Sequence, residues 1–287
     1  MTHFSAFSPF SGTAGYRRAA AVALGAGSLA LIAGCSGGTG SSAASLTPRT
    51  AITLAADQAQ KVNSMSATMS VQVSGASSES TAGTIQMQLK PGLLVAESLD
   101  ITAQGQTIPM DAVLSPKAIY LRSSAFSALT GQTGKAWLEI PFSDVSGSAG
   151  SALASLFQNV QNGDPMTQAR MLAASKNARE VGTQVIDGVR TTHYTGTFTP
   201  QAALAKLSPR LRTQLAPLMK LITGDVRFNT WIDAQHMVRR TSEVESVAGE
   251  TVTTTVTITS INKPVQITVP PKSQALTPPK GALGGTS

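Results

Sequence analysis

Cysteine is nearly absent from this 287-residue chain: Cys35 is the only one. No intramolecular disulfide can form, so the fold must rest on burial and backbone hydrogen bonding. Histidine is almost as scarce, at His3, His193 and His236. Neither of the last two neighbours a second metal ligand at helical or hairpin spacing, and no HExxH occurs, so no metal site is expected. A G-x-S-x-G elbow is missing as well, which weighs against an esterase. Gly134-Lys135 lacks the upstream glycine of a phosphate loop, and no cofactor motif is present. Asp57, Glu97, Asp100, Asp111 and Glu139 are too scattered to locate a paired-carboxylate site. Charged residues make up 13% of the chain and aromatics 5%, four of which (Phe4, Phe7, Phe10 and Tyr16) fall in the leading segment. The net charge of +7 is dispersed and not interleaved with aromatics, which excludes a nucleic-acid groove. No apolar run reaches the roughly 20 residues needed to span a bilayer.

What is present starts at the front. Arg17-Arg18 precedes an apolar run, Ala19 to Ala33, of about 15 residues, the dimensions of a signal peptide's hydrophobic core. Ile32-Ala33-Gly34-Cys35 resembles the bacterial lipobox, which implies cleavage before Cys35, thioether lipidation of its sulfur and a mature chain that begins there. Acyl chains at one cysteine hold firmly, because each buried CH₂ contributes about 0.8 kcal/mol and a single chain is marginal. The competing reading is an ordinary secretory signal with a coincidental cysteine, or an uncleaved start. Arg17-Arg18 also suggests a twin-arginine signal, but Ala19-Ala20-Ala21 lacks the bulky apolar residues expected there, so the general secretory route is preferred. The expected location is the extracytoplasmic face of the cell membrane, held by a lipid anchor.

The expected organisation is a signal segment (1–34), a Gly/Ser tether (35–47), one domain (48–269) and a disordered Pro/Gly-rich tail (270–287). The domain opens with a helix: Thr47-Pro48 reads as an N-cap followed by proline at the first helical position, and Ile52, Ala55, Ala56, Ala59 and Val62 mark one face. The period then changes to two. Ala67, Met69, Val71 and Val73 alternate with polar residues, as do Ile85, Met87 and Leu89, and Leu93, Val95, Leu99 and Ile101 follow a Lys90-Pro91-Gly92 turn. Further strands are expected at 108–114, 118–122, 135–140, 180–186, 189–198, 225–232, 236–246 and 251–261, with an Asp187-Gly188 hairpin turn. Helical patterns interrupt them: Leu153, Leu156, Phe157 and Val160 at i, i+3, i+4 and i+7, a short helix from Asp164-Pro165, one from Thr199-Pro200, and a longer one from Ser208-Pro209 carrying Leu211, Leu215 and Leu218, with Pro217 expected to kink it.

The fold class is therefore α+β: a single large curved antiparallel sheet of about ten or eleven strands whose concave apolar face is covered by helices. The residues expected to line the space between are Met69, Val71, Met87, Leu89, Val95 and Leu99 from the sheet and Leu153, Leu156, Phe157, Leu215 and Leu218 from the helices. Methionines suit such a lining because they adapt to flexible apolar ligands, although each alone reads equally as core. Glu97 is the anomaly. It falls in register with Leu93, Val95 and Leu99, so it either faces the cavity and meets a polar head group or is turned outward by a bulge, which is the preferred reading.

The lipobox at Cys35, "GKAWLEIP" (Gly134 to Pro141), "GVRTTHYTGT" (Gly188 to Thr197) and "WIDAQHMVRR" (Trp231 to Arg240), in that order around two helical insertions, resemble the actinobacterial LppX/LprA/LprF/LprG lipoprotein family and, more distantly, the LolA-type lipoprotein carriers. The resemblance covers nearly the whole domain. It implies a half-barrel of strands over helices, a hydrophobic cavity, an acylated lipid or glycolipid as ligand and movement of that ligand toward the outer envelope. It transfers no catalytic residues. The function expected is a membrane-anchored lipid carrier, with an envelope transporter or acceptor protein as partner. The alternatives are a tethered interaction or sensory module with a packed core and, least favoured, a hydrolase using His193 or His236.

Overall fold

The first helix starts where its cap dictates. Thr47 Oγ1 accepts a hydrogen bond from the Thr50 amide, and Pro48 occupies the first turn, where its missing N–H costs nothing. The helix, α1 (Pro48–Ala59), buries Ala51, Ile52, Ala55, Ala56 and Ala59. The computed structural model describes residues 46–75, 78–126, 136–142, 172, 174–207 and 209–277. Cys35, the leading segment and the helical patterns carrying Leu153, Leu156 and Phe157 lie outside the described residues.

The strands follow the alternation: β1 (Ser64–Ser74), β2 (Ser78–Gln88), β3 (Leu94–Ala103), β4 (Gln106–Leu114), β5 (Ala118–Ser123), β6 (Trp137–Pro141), β7 (Arg179–Ile186) and β8 (Val189–Phe198). Two helices come next, α2 (Pro200–Ala205) and α3 (Pro209–Met219), then β9 (Ile222–Asp233), β10 (Val238–Val247), β11 (Glu250–Ile261) and the short β12 (Ala275–Leu276). Pro217 lies inside α3.

All twelve strands form one open, curved sheet in the order β12-β6-β5-β4-β3-β2-β1-β11-β10-β9-β8-β7. The chain starts in the middle at β1, meanders to one side as far as β6, re-enters at the opposite edge with β7, and walks back until β11 pairs with β1. Two-residue turns join several strands, with positive φ at Gln104 and Gly105, Asp187 and Gly188, and Ala248 and Gly249, the backbone that matches the twist of a hairpin.

The segment after β11 departs from expectation. Instead of ending the ordered domain near 270, the chain crosses the sheet's outer side. Ile267 and Val269 pack with Ala96, Val113, Ala118 and Tyr120, and Ala275 is buried in the same cluster. Ala275 and Leu276 then pair in parallel with Trp137 and Leu138 of β6. The Trp137 amide donates to the Gln274 carbonyl, and Thr277 Oγ1 donates to Glu139. The sequence conceals this strap because a proline-rich extended run shows no period.

The β9–β10 turn is held by one carboxylate. Asp233, 4% exposed, accepts the Gln235 and Met237 amides on Oδ1, each at 2.9 Å, and the Arg239 guanidinium on Oδ2 at 2.7 Å. His236 stands in the turn with φ of 60°. Asp233→Ala strands two amides and a guanidinium, so denaturant titration should show a loss of about 3 kcal/mol, the usual cost of breaking a buried ion pair. Asp233→Asn keeps the amide acceptor and should lose less.

Candidate functional site: the inner face of the sheet

Directly opposed residues in an antiparallel pair share a face, so the register assigns each side chain. Met69 of β1 opposes Gly83 of β2 and Val256 of β11. Gly83 opposes Leu99, and Leu99 opposes Met110. Continuing this bookkeeping gives an inner face with Met65, Ala67, Met69, Val71 and Val73 on β1, Ile85 and Met87 on β2, Val95 and Leu99 on β3, and Ala112 and Leu114 on β4. These residues belong to one buried cluster that also holds Ala51, Ile52, Ala55 and Ala59 of α1 and Ala203 of α2.

The structure therefore brings together Met69, Val71, Met87, Val95 and Leu99, all buried, with Leu89 packed against them from just beyond β2. Leu215 of α3 is half-buried, and the side chain of Leu218 lies outside the described residues.

Glu97 shares this face. It opposes Ile85 on one side and Ala112 on the other, and both ladders pass it without a register shift. The bulge expected to turn it outward does not exist. The irregularities fall instead at Ser66/Ala67, Glu180/Gly182, Val238/Arg240 and Val244/Ser246. Burial alone pushes the Glu97 carboxyl up to about 7, because the charged form loses its hydration.

Toward β8–β10 the same face keeps buried Phe198, Val226, Phe228 and Ile232 and sets polar residues among them. Thr241 opposes Thr230, Thr230 opposes Tyr194, and Tyr194 opposes Glu180. In the next row Phe228 opposes Glu243, which opposes Thr254. Glu245 opposes Val252, which opposes Val73. Burial, then the neighbouring Glu243 charge, pushes the Glu245 carboxyl up to about 7. The Tyr194 hydroxyl is raised by burial and by Glu180. Nothing in the sequence singled out these residues, because threonine and glutamate in alternating strands read as solvent-facing.

The outer face uses its own polar groups structurally. His193 stacks on Trp231 with ring centroids 4.4 Å apart, its Nε2 lies 2.9 Å from Asn229 Oδ1, and Arg240 covers Trp231 at 5.8 Å. Asp111 pairs with Arg122 and accepts from Ser98, and Arg122 lies over Trp137. Among the described residues no group of three or more His, Cys, Asp or Glu is placed to hold a metal ion, and no helix is long and apolar enough to cross a membrane.

No family model matches this chain. It is 30% identical over 130 residues to an uncharacterized 31.2 kDa protein of Streptomyces griseus, a stretch that is 44% of this chain and 42% of that protein. It is 30% identical over 93 residues to a candidate lipoprotein of Streptomyces coelicolor, 32% of each. The chain thus spans less than half the length of the curated relatives it matches. Among solved structures it is similar to LprF from Mycobacterium bovis, at 14% identity and a TM-score of 0.47 over 78% of this chain and 96% of that one. It is also similar to LppX from Mycobacterium tuberculosis, at 18% identity and 0.46 over 77% and 98%. A candidate outer-membrane lipoprotein-sorting domain from Vibrio parahaemolyticus follows at 8% identity and 0.27, over 74% and 93%. LprF and LppX are among the lipoproteins that the sequence motifs resemble.

Proposed function

We propose that this protein is a membrane-anchored lipoprotein that binds an acylated lipid or glycolipid against the inner face of its sheet and carries it across the cell envelope, with an envelope transporter or acceptor protein as its partner. One observation carries the reading: the inner face is an apolar floor across β1–β4, broken by Glu97, in which Met65, Met69 and Met87 are buried side by side with Val, Leu and Ile. Methionine adapts to flexible hydrocarbon, and each CH₂ taken out of water favours the bound state by about 0.8 kcal/mol before ordering costs. Lipidated Cys35 supplies the anchor. The proposed cover for the lipid chains is Leu215 and Leu218 of α3 together with Leu153, Leu156 and Phe157, for which the sequence expects a helix.

A second reading has its own support. The floor residues are as inaccessible as those of a closed core, which is what a tethered interaction or sensory module with no cargo would show. Native mass spectrometry of the domain purified from its own membrane separates the two. Co-purifying lipid in the 1:1 complex is the expected result, and a protein peak with no bound lipid under gentle desolvation overturns the carrier. For the anchor, Cys35→Ser should move the protein from the detergent phase to the aqueous phase in a phase-partition assay, and equal partition of the two forms would remove the lipidation.

A further inference from the structure

One carboxyl stands alone on the apolar floor. The inner-face row that crosses it runs from Ile258 of β11 through Ala67 and Ile85 to Glu97, then through Ala112 and Leu121 to Leu138 of β6. Every other member of that row is a buried apolar residue. The rows on either side bring no polar side chain beside it: one places Met87, Val95 and Leu114 there, the other Gly83, Leu99 and Met110. Glu97 makes no hydrogen bond or ion pair among the described residues, and burial alone raises its carboxyl. Native proteins seldom leave such a group in hydrocarbon without a partner. Its oxygens are not sealed in as Thr230 Oγ1 is. Glu97 keeps accessible surface that Ile85, Val95, Leu99 and Ala112 around it lack, so part of its side chain stands in open space above the floor.

We infer that Glu97 is the polar contact of the lipid site and that it holds an isolated hydroxyl carried on the guest's hydrocarbon, rather than the guest's head group. The inference rests on the lipid-binding reading of the same face. A hydroxyl matches a lone carboxyl because it bonds both of its forms: it donates to the carboxylate and accepts from the acid. Larger polar heads find no such match. An ammonium brings three donors and a phosphate several acceptors, and around Glu97 the floor offers them only carbon. Pairing two full charges here also costs both their hydration, which the attraction seldom repays. Along β3, Val95 on one side of Glu97 and Leu99 on the other leave apolar floor for hydrocarbon in both directions from the hydroxyl.

The test uses the purified protein, an apolar fluorescent probe bound to it, and displacement by four amphiphiles with 18-carbon chains: methyl stearate, methyl 3-hydroxystearate, methyl 12-hydroxystearate and octadecylamine. One of the hydroxy esters is expected to displace the probe at about one tenth the concentration of methyl stearate, the factor that one hydrogen bond supplies. Partition alone gives the reverse order, because burying a hydroxyl without a partner is costly. Glu97→Leu removes the partner and should restore that reverse order, whereas Glu97→Gln keeps a hydrogen-bonding group and should keep the preference. Both variants should melt no lower than the parent at pH 8. A parent protein that prefers methyl stearate to both hydroxy esters, or a preference that survives Glu97→Leu, overturns the assignment and leaves lipid binding standing. Octadecylamine as the best ligand, with its advantage lost in Glu97→Gln, overturns the hydroxyl in favour of a cation. Failure of the probe and all four amphiphiles to bind overturns the lipid site itself.

Discussion

A Glu97→Gln/Glu245→Gln double variant melts more than about 10 °C above the parent protein at pH 8 and level with it at pH 4. The reasoning starts from the two carboxyls on the inner face, each raised from 4.5 to about 7. A carboxyl that holds its proton more tightly when folded than when unfolded contributes stability that is fully present below the unfolded value. That contribution is lost as pH rises through the folded value. The window is therefore about pH 4.5 to 7 and above, and the protein weakens on the alkaline side. Each shift corresponds to on the order of 3 kcal/mol. The two residues sit on β3 and β10, with β2, β1 and β11 between them, far enough apart for their effects to add, so removing both charges recovers on the order of 6 kcal/mol at pH 8. Glutamine resembles the protonated acid in size and polarity, which is why nothing changes at pH 4. Thermal melts of parent and variant at both pH values check the claim, and a parent protein equally stable at pH 5 and pH 8 contradicts it.

Gly83→Ala should destroy the fold or cost on the order of 5 kcal/mol, beyond what most single substitutions reach. Gly83 lies mid-strand in β2, between Met69 and Leu99. A Cβ there would overlap the Ser98 carbonyl oxygen and stand 2.9 Å from the Leu99 Cα. Both obstacles are backbone, so no rotamer change relieves them, and the β2–β3 ladder must open to admit one methyl group. Gly92→Ala is the control: nothing lies within 4 Å of a Cβ at that position, and its stability should match the parent. Circular dichroism and denaturant titration of the two variants decide it. A Gly83→Ala protein that folds with unchanged stability contradicts the close approach of the strands.

Much of the sheet was legible because alternation is a direct image of having one face inward. Met69, Val71, Met87, Val95 and Leu99 were readable from period two alone, and α1 from a capping threonine and proline. The failures have physical causes. The sequence favours a bulge at Glu97 because a carboxylate is not expected in an apolar row, yet the ladder runs straight past it and burial pushes its carboxyl up to about 7. The inward-facing Thr230, Thr241 and Glu245 gave no signal, since they are residues of any solvent-facing strand. Only the register, which depends on pairings between strands distant in sequence, shows that they face inward. The strap was invisible because it follows the backbone's hydrogen-bonding needs for only two residues, and proline and lysine spacing says nothing about what an extended segment crosses.

The stretch from 262 to 276 also makes the two flanks of the molecule unequal. It leaves the central strand β11 and fastens to β6, so the flank from β1 to β6 is girdled by a covalent belt that limits how far its strands can splay. Among the described residues no comparable segment fastens the flank from β10 to β7. Its margin is β7, where Val181 and Val185 are exposed and β8 is the one neighbouring strand. Parting β6 from the rest of the sheet, by contrast, also means stripping the 262–276 stretch from Ala96, Val113 and Tyr120.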